Sequence, residues 1–424
     1  MKKVLFTILA MLLVVPTAAC SKTASAEIVE SDKPRETAPA TSPDDNTMLS
    51  EGNGEFAFDL YRNLKSQEGN FFYSPYSISA ALGMTYAGAR GETEQQMADT
   101  LHFTLPQDTL HPAFNHLDLK LESRGEGAQG SDDKGFRLSV ANALWGQKGF
   151  SFLPDFLDTL AVNYGAGLRI LDFAQETEKS RLTINGWVSD ETEGRIKDLI
   201  PQGVIDPSTR LVLTNAIYFN AAWQYPFEKD YTSNGAFTQL DGTQVTVPMM
   251  RQTEVFGYAE GDGYKAAELL YDGRELSMVI LLPDEGTFGT FEESLNFTTV
   301  SDIIDSLTTN SVALTIPTFE FDSEFNLKET LSAMGMPVAF SGAADFSGMT
   351  GKADLYIDEV IHKAFVAVNE AGTEAAAATA VVMKESAMPL EQYEFTADHP
   401  FIFFIRDIET GAILFAGRIL NPAG

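Results

Sequence analysis

The feature that most restricts how this chain can fold lies near its C-terminus. Two almost unbroken apolar runs, residues 401–405 (FIFFI) and 412–416 (AILFA), flank the stretch Asp407-Ile408-Glu409-Thr410-Gly411. The pattern reads as a hairpin. Successive side chains of a strand point to opposite faces, so strands without polar alternation need cover on both faces. A hairpin of this kind requires packed layers on either side of its sheet, and therefore a large core. The 424 residues, 44% of them hydrophobic, suffice for one. Residues 210–220 (RLVLTNAIYFN) and 278–282 (MVILL) are further apolar strands with β-branched residues. Earlier in the chain, Phe56, Leu60, Tyr61 and Leu64 recur at helical spacing. Residues 77–90 (SISAALGMTYAGAR) carry small side chains on most faces, as a helix buried against close neighbours would. Thr93 and Gln96 have capping-box spacing for the next helix. Helices gather early and strands late, which argues for one large α+β domain rather than alternating βαβ units.

Composition excludes several classes of function. Sixty acidic against 29 basic residues leave a net charge of -31, a surface that repels phosphate backbones, so no nucleic-acid partner is expected. Cys20 is the single cysteine, so no intramolecular disulfide forms. Five histidines without HExxH or paired Cys/His spacing give no zinc site, and nothing implies a cofactor. No GxSxG elbow is present, and the glycine pairs Gly52/Gly54 and Gly261/Gly263 lack a strand-to-helix setting, so no enzymatic activity is expected. Asn296-Phe297-Thr298 fits a glycosylation sequon, which a bacterial export signal makes irrelevant.

The N-terminus reads as that signal. Lys2 and Lys3 precede an apolar run over residues 4–15, and Thr17-Ala18-Ala19 leads to Cys20. The run is too short to span a membrane and fits a secretory signal. Its junction resembles a bacterial lipobox, with Thr17 where leucine is usual. The expected organisation is a signal peptide over 1–19, a lipidated Cys20 and flexible polar tether over 20–48, and a folded domain over 49–424. The product is then exported, held as a lipoprotein at the cell envelope or surface, or secreted.

One segment behaves unlike the rest. Residues 370–379 read EAGTEAAAAT and follow a strand-like stretch, 355–369 (LYIDEVIHKAFVAVN). Four alanines usually favour helix, and a short helical turn or alanine-rich loop is one reading. The other is a segment that slides between existing strands, where bulk would clash and charge would be buried. In a strand, Thr373, Ala375, Ala377, Thr379 and Val381 would share the inward face and Glu374 would point out, while Gly372 supplies backbone freedom at the turn.

The sequence Glu370-Ala371-Gly372-Thr373-Glu374-Ala375-Ala376-Ala377-Ala378-Thr379 resembles the hinge signature of inhibitory serpins. Residues 360–370 (VIHKAFVAVNE), 70–81 (NFFYSPYSISAA), 214–227 (TNAIYFNAAWQYPF), Asp398-His399-Pro400-Phe401 and Leu414-Phe415-Ala416-Gly417-Arg418 resemble other serpin segments, in the family's order over residues 49–422. The resemblance implies a metastable fold of three β-sheets and eight or nine helices with an exposed reactive loop. It implies a monomeric suicide inhibitor of serine proteases, and of some cysteine proteases, acting through a covalent complex. A protease cleaves the loop as an acyl-enzyme, and the hinge then inserts into the main sheet, a mode of strand addition. About a dozen residues at about 3.3 Å each span on the order of 40 Å.

Residue by residue, Ser74, Ser77, Asn185 and His362 match the polar cluster gating that sheet, and Trp223 matches the aromatic at the loop's entry. Glu370 often pairs with a lysine in the family, but Thr318 stands at the matching position. Counting Glu370 as the first residue, the seventeenth is Ser386, which places the scissile bond before Ala387 and suits elastase- or subtilisin-like proteases. Met383, Lys384, Glu385 and Met388 are neighbouring alternatives. A non-inhibitory serpin acting as a binding protein is the competing class. Its hinge would carry bulky, charged or proline residues, and none occurs over residues 375–379.

Overall fold

The computed structural model describes residues 26–128, 136–373 and 392–424. The chain enters its first long helix, Pro43–Leu64, through a local signal. Ser42 accepts from the Asp45 amide, Asp45 bonds back to the Ser42 amide, and Pro43 takes the first helical position. Phe56, Leu60, Tyr61 and Leu64 of this helix are all buried. A second helix, Pro75–Tyr86, starts at Ser74 and is buried over its whole length. Its small residues explain the fit, since a Cβ on Gly83 would sit 3.0 Å from the Tyr164 hydroxyl. Thr93 does not cap the following helix, Gly91–Leu101, which starts from Arg90. It lies within the first turns and accepts instead from the Asp345 amide at 2.8 Å.

Among the described residues the strands form two hydrogen-bonded sheets, where the resemblance implies three. The seven-stranded sheet runs, edge to edge, Glu27–Val29, Leu168–Leu171, Arg137–Gln147, Leu211–Ala222, Gly372–Thr373, Glu359–Val368 and Phe319–Asn326. The nine-stranded sheet runs Gln392–Thr396, Thr308–Pro317, Gln244–Gly261, Tyr264–Leu270, Leu276–Pro283, Phe401–Asp407, Ile413–Ile419 and Phe71–Tyr73, with Ser233–Thr238 also on Gln244–Gly261. The 18-residue strand Gln244–Gly261 merges two expected sheets, because its first third pairs with Ser233–Thr238 and its last residues with Tyr264–Leu270. Ten α-helices occur among the described residues, against the eight or nine expected. The count includes short ones such as Ser347–Thr350.

All twelve residues of Leu211–Ala222 are buried. Leu213, Ile217 and Phe219 face the main core, while Val212 and Ala216 join Ile184 and Val188 of the helix Phe173–Glu191 on the opposite face. The C-terminal hairpin is likewise buried, between Leu276–Pro283 and Phe71–Tyr73. Its turn is fixed by Asp407, which accepts from the Thr410 amide and hydroxyl at 2.8 and 2.7 Å.

A flexible tether through residue 48 is not what the structure shows from residue 26 onward. Glu27–Val29 adds an antiparallel strand to the outer edge of the seven-stranded sheet. Arg35 then donates to Asn115 at 2.9 Å, Asp118 at 2.5 Å and Glu122 at 2.7 Å on the helix Gln107–Glu122. The polar composition hid this because the edge strand is held mainly through its backbone and the strap through polar contacts, those of Arg35 together with Lys33 and Ser31 on Asp158. The expected signal peptide over 1–19 and the expected lipidation site Cys20 lie outside the described residues.

Candidate functional site

The two central strands of the seven-stranded sheet, Leu211–Ala222 and Glu359–Val368, pair in parallel from Glu359↔Val212 to Ala364↔Ile217. Above that point the direct pairing stops and Gly372–Thr373 stands between them. Gly372 lies opposite Ala222, Thr373 opposite Ala221 on one side and Val368 on the other. The start of the hinge is therefore already a strand of the sheet.

A set of bonds fixes this entry. The Trp223 amide donates to the Ala371 carbonyl at 3.0 Å and the Trp223 indole N–H to the Asn369 carbonyl at 2.9 Å. Tyr271 stacks on Trp223, with ring centroids 4.7 Å apart, and its hydroxyl meets the Thr373 hydroxyl at 2.7 Å. Thr373 is 1% exposed. Burial drives the Tyr271 phenol far above its ordinary range, so it stays a neutral hydrogen-bonding group. Gly372 is required for a different reason from the one expected. Its φ lies outside the left-handed region, but a Cβ there would overlap the Ala221 carbonyl oxygen. Glu370 accepts from the Thr232 hydroxyl at 2.7 Å, and its carbonyl accepts from the Phe227 amide at 2.8 Å. Thr318, which stands where the resemblance implies a lysine, uses its amide on the Pro248 carbonyl.

Below the split, a buried polar cluster crosses the seam. His362 on one central strand faces Asn215 on the other in register, and Asn142 faces Asn215 from the next strand. The His362 Nε2 accepts from the Ser74 amide at 3.2 Å, which leaves Nδ1 to donate to the Asn215 side-chain oxygen. The Asn215 amide donates to the Ser77 hydroxyl and to the Asn142 oxygen. Asn142 donates to the Ser77 carbonyl at 3.1 Å, and Ser74 caps the helix by accepting from the Ser77 amide at 3.2 Å. His362 is fully buried, and desolvation depresses its ionisation to about 3. It is neutral, and Phe325 lies parallel to its ring.

Ser74, Ser77 and His362 thus come together, and Asn185 does not join them. Asn185 sits on the helix Phe173–Glu191 and binds the Ile200 backbone, accepting from its amide at 2.8 Å and donating to its carbonyl at 3.0 Å. Asn142 and Asn215 take the places the sequence reading gave to it. The signal for them was present: each is an asparagine inside a strand with apolar neighbours, and a buried amide must find partners. Tyr271 gave no comparable signal, because its role depends on a contact between the two sheets. Hinge residues Ala375, Ala376, Ala377, Ala378 and Thr379, and the bond between Ser386 and Ala387, lie outside the described residues.

A mixed sheet that admits part of a following segment between two of its own strands defines a strand-accepting protein. The family model for serpins (serine protease inhibitors) matches residues 51–422. An uncharacterised serpin-like protein of Thermococcus kodakarensis is 42% identical over 370 residues, covering 87% of this chain and 84% of that one. The leukocyte elastase inhibitor of Homo sapiens is 41% identical over 387 residues, covering 88% of this chain and 100% of its own. Among solved structures, the thermophilic serpin tengpin in its native state matches with a TM-score of 0.82 at 27% identity, over 94% of this chain and 100% of that one. Uncleaved ovalbumin matches at 0.78 and 28%, over 88% and 100%. The chain belongs to the serpin family and has the serpin fold. At the level of the family such proteins are binders of serine proteases rather than catalysts, with some non-inhibitory members.

Proposed function

We propose that this chain is a suicide inhibitor of serine proteases, with elastase- and subtilisin-like enzymes favoured. A protease attacks the segment after the hinge, at the bond between Ser386 and Ala387, and is held as an acyl-enzyme while residues 374 onward follow Gly372–Thr373 into the sheet. The observation that carries the reading is the seam itself, where Gly372–Thr373 already divides Leu211–Ala222 from Glu359–Val368. Continued insertion would extend ladder hydrogen bonds on both sides and bury the small side chains of Ala375, Ala377 and Thr379. Insertion must break the His362–Asn215 contact, because these residues face each other directly across the seam.

Resemblance to the leukocyte elastase inhibitors supports the choice of target class. Export and anchoring through Cys20 belong to the same proposal, and the mass of the mature N-terminus tests them. Incubation with pancreatic elastase or subtilisin tests inhibition. A complex that survives SDS, with a released C-terminal fragment beginning at Ala387, is the expected result. Cleavage without a complex supports a non-inhibitory binding protein instead.

A further inference from the structure

The other end of the loop offers a separate observation. Among the described residues, Gln392–Thr396 is an edge strand held by one parallel partner, Thr308–Pro317. Of its five side chains only Phe395 is buried. Tyr393 also packs on Tyr258, with ring centroids 4.7 Å apart, but the other three side chains add no apolar burial, so the residues that follow contribute to how firmly the strand is fastened. The Ala397 amide donates to the Thr315 carbonyl at 2.9 Å, and the Asp398 carbonyl accepts from the Thr238 amide at 2.8 Å. Then comes His399, whose Nδ1 lies 2.8 Å from an Asp398 carboxylate oxygen and whose Nε2 lies 2.7 Å from the Pro283 carbonyl.

Both contacts are acceptors. A neutral imidazole has one N–H, and its other nitrogen would turn a lone pair toward oxygen. Only the imidazolium satisfies both at these distances. We propose that His399 is a doubly donating cationic clamp, and that its deprotonation loosens the chain just beyond the edge strand Gln392–Thr396.

The surroundings agree with this assignment. Lys265 comes from the neighbouring strand Tyr264–Leu270 and donates to the Glu394 carbonyl at 3.2 Å. Asp284 and Glu285 follow Pro283, Glu394 comes from the edge strand, and Asp398 adjoins the histidine. Four carboxylates therefore share this corner with one ammonium. Burial works against a charge on His399. The Asp398 hydrogen bond, the Pro283 carbonyl and the charges of Asp398 and Glu285 outweigh it and hold the ring's ionisation above its ordinary value. The clamp is complete below the ordinary histidine value of 6.5, and it is lost as pH rises through the higher native value. The dependence is independent of whether the protein inhibits a protease.

Hydrogen–deuterium exchange of peptides spanning residues 392–400, corrected for intrinsic rates, provides the test. Between pH 6 and pH 9 the opening of this segment rises by about tenfold in the native protein, the size expected from losing one charge-assisted hydrogen bond. His399→Gln, which can fill only one of the two contacts, opens freely at both pH values. Asp398→Asn, at a half-exposed position, moves the transition to lower pH. Nitrogen-15 shifts of His399 at pH 6 report both ring nitrogens protonated. Equal opening at pH 6 and 9 in the native chain, a native-like pH profile in His399→Gln, an unmoved transition in Asp398→Asn, or a neutral ring at pH 6 each overturns the clamp.

Discussion

The central seam of the seven-stranded sheet and the C-terminal hairpin of the nine-stranded one are both buried on two faces, yet they are closed by opposite chemistry. The hairpin is sealed by aromatic packing. Phe72 stacks on Phe415 at 4.8 Å and on Phe403 at 5.6 Å, and its turn is pinned by the buried ion pair of Arg124 and Asp407 at 2.6 Å. The seam is crossed in its middle by a neutral network of one histidine and two asparagines. Dispersion and apolar burial are non-directional and fade gradually as surfaces part. Hydrogen bonds in a dry interior are directional, and separating the strands leaves every partner unsatisfied at once. The hairpin is built to stay shut, whereas the seam has a sharp threshold.

Substitutions can break this contrast, and the largest effect is expected in the hairpin. Phe403→Ala removes a ring that is 0% exposed and should cost about 3–5 kcal/mol, read as a lower denaturation midpoint in guanidinium. Exchange at the seam should change little beyond that global loss.

Acid should act on the other region. His362 in the seam, and His111 away from it on the helix Gln107–Glu122, are held by burial at about 3 and about 4 against an ordinary 6.5, so both are neutral in the native state. The unfolded chain takes up protons below 6.5 while the native chain does not. The contribution of these two groups is therefore complete above that value and declines as pH falls toward 3, by at most ~1.4 kcal/mol per unit for each histidine. Denaturation midpoints at pH 7 and pH 5 measure the slope, and replacing His362 by glutamine should reduce it.

Asn215→Ala strips the network of its centre and should cost about 1–3 kcal/mol by orphaning its partners. Faster exchange should appear in residues 212–217 and 359–364, with the hairpin unchanged. Gly372→Ala should expel the first inserted residues, because backbone lies where the new methyl must go. Exchange at 369–373 should rise, with a global cost on the order of 1–3 kcal/mol. The smallest effect is expected of Tyr271→Phe, which keeps the stack on Trp223 and loses only the bond to Thr373, about 1 kcal/mol. If Tyr271→Phe loosens the seam more than Asn215→Ala, the threshold lies at the entry and not in the polar network.

Much of this architecture is legible in sequence because it follows from side-chain pattern. The runs at 210–220, 278–282 and 401–405 lack polar alternation, and each became a strand covered on both faces. The small residues after Ser77 became a fully buried helix. What escaped depends on contacts between distant segments. Asn185 and Asn215 are both asparagines in regular structure, and only the register of Glu359–Val368 against Leu211–Ala222 tells which one meets His362. The merger of two sheets was hidden in Gln244–Gly261, where Pro248 and Gly257 punctuate what is one continuous strand. Glu27–Val29 lay unseen in a polar stretch because three residues held by backbone bonds need no apolar pattern.

That small N-terminal strand has a consequence for the behaviour of many molecules together. Without it, the rim formed by Leu168–Leu171 would present bare amides and carbonyls to solvent, an invitation for a neighbouring copy to dock a strand of its own. Three residues contributed by the beginning of the chain act as a plug against daisy-chaining, so a nick just past Val29 would be felt first as turbidity rather than as unfolding.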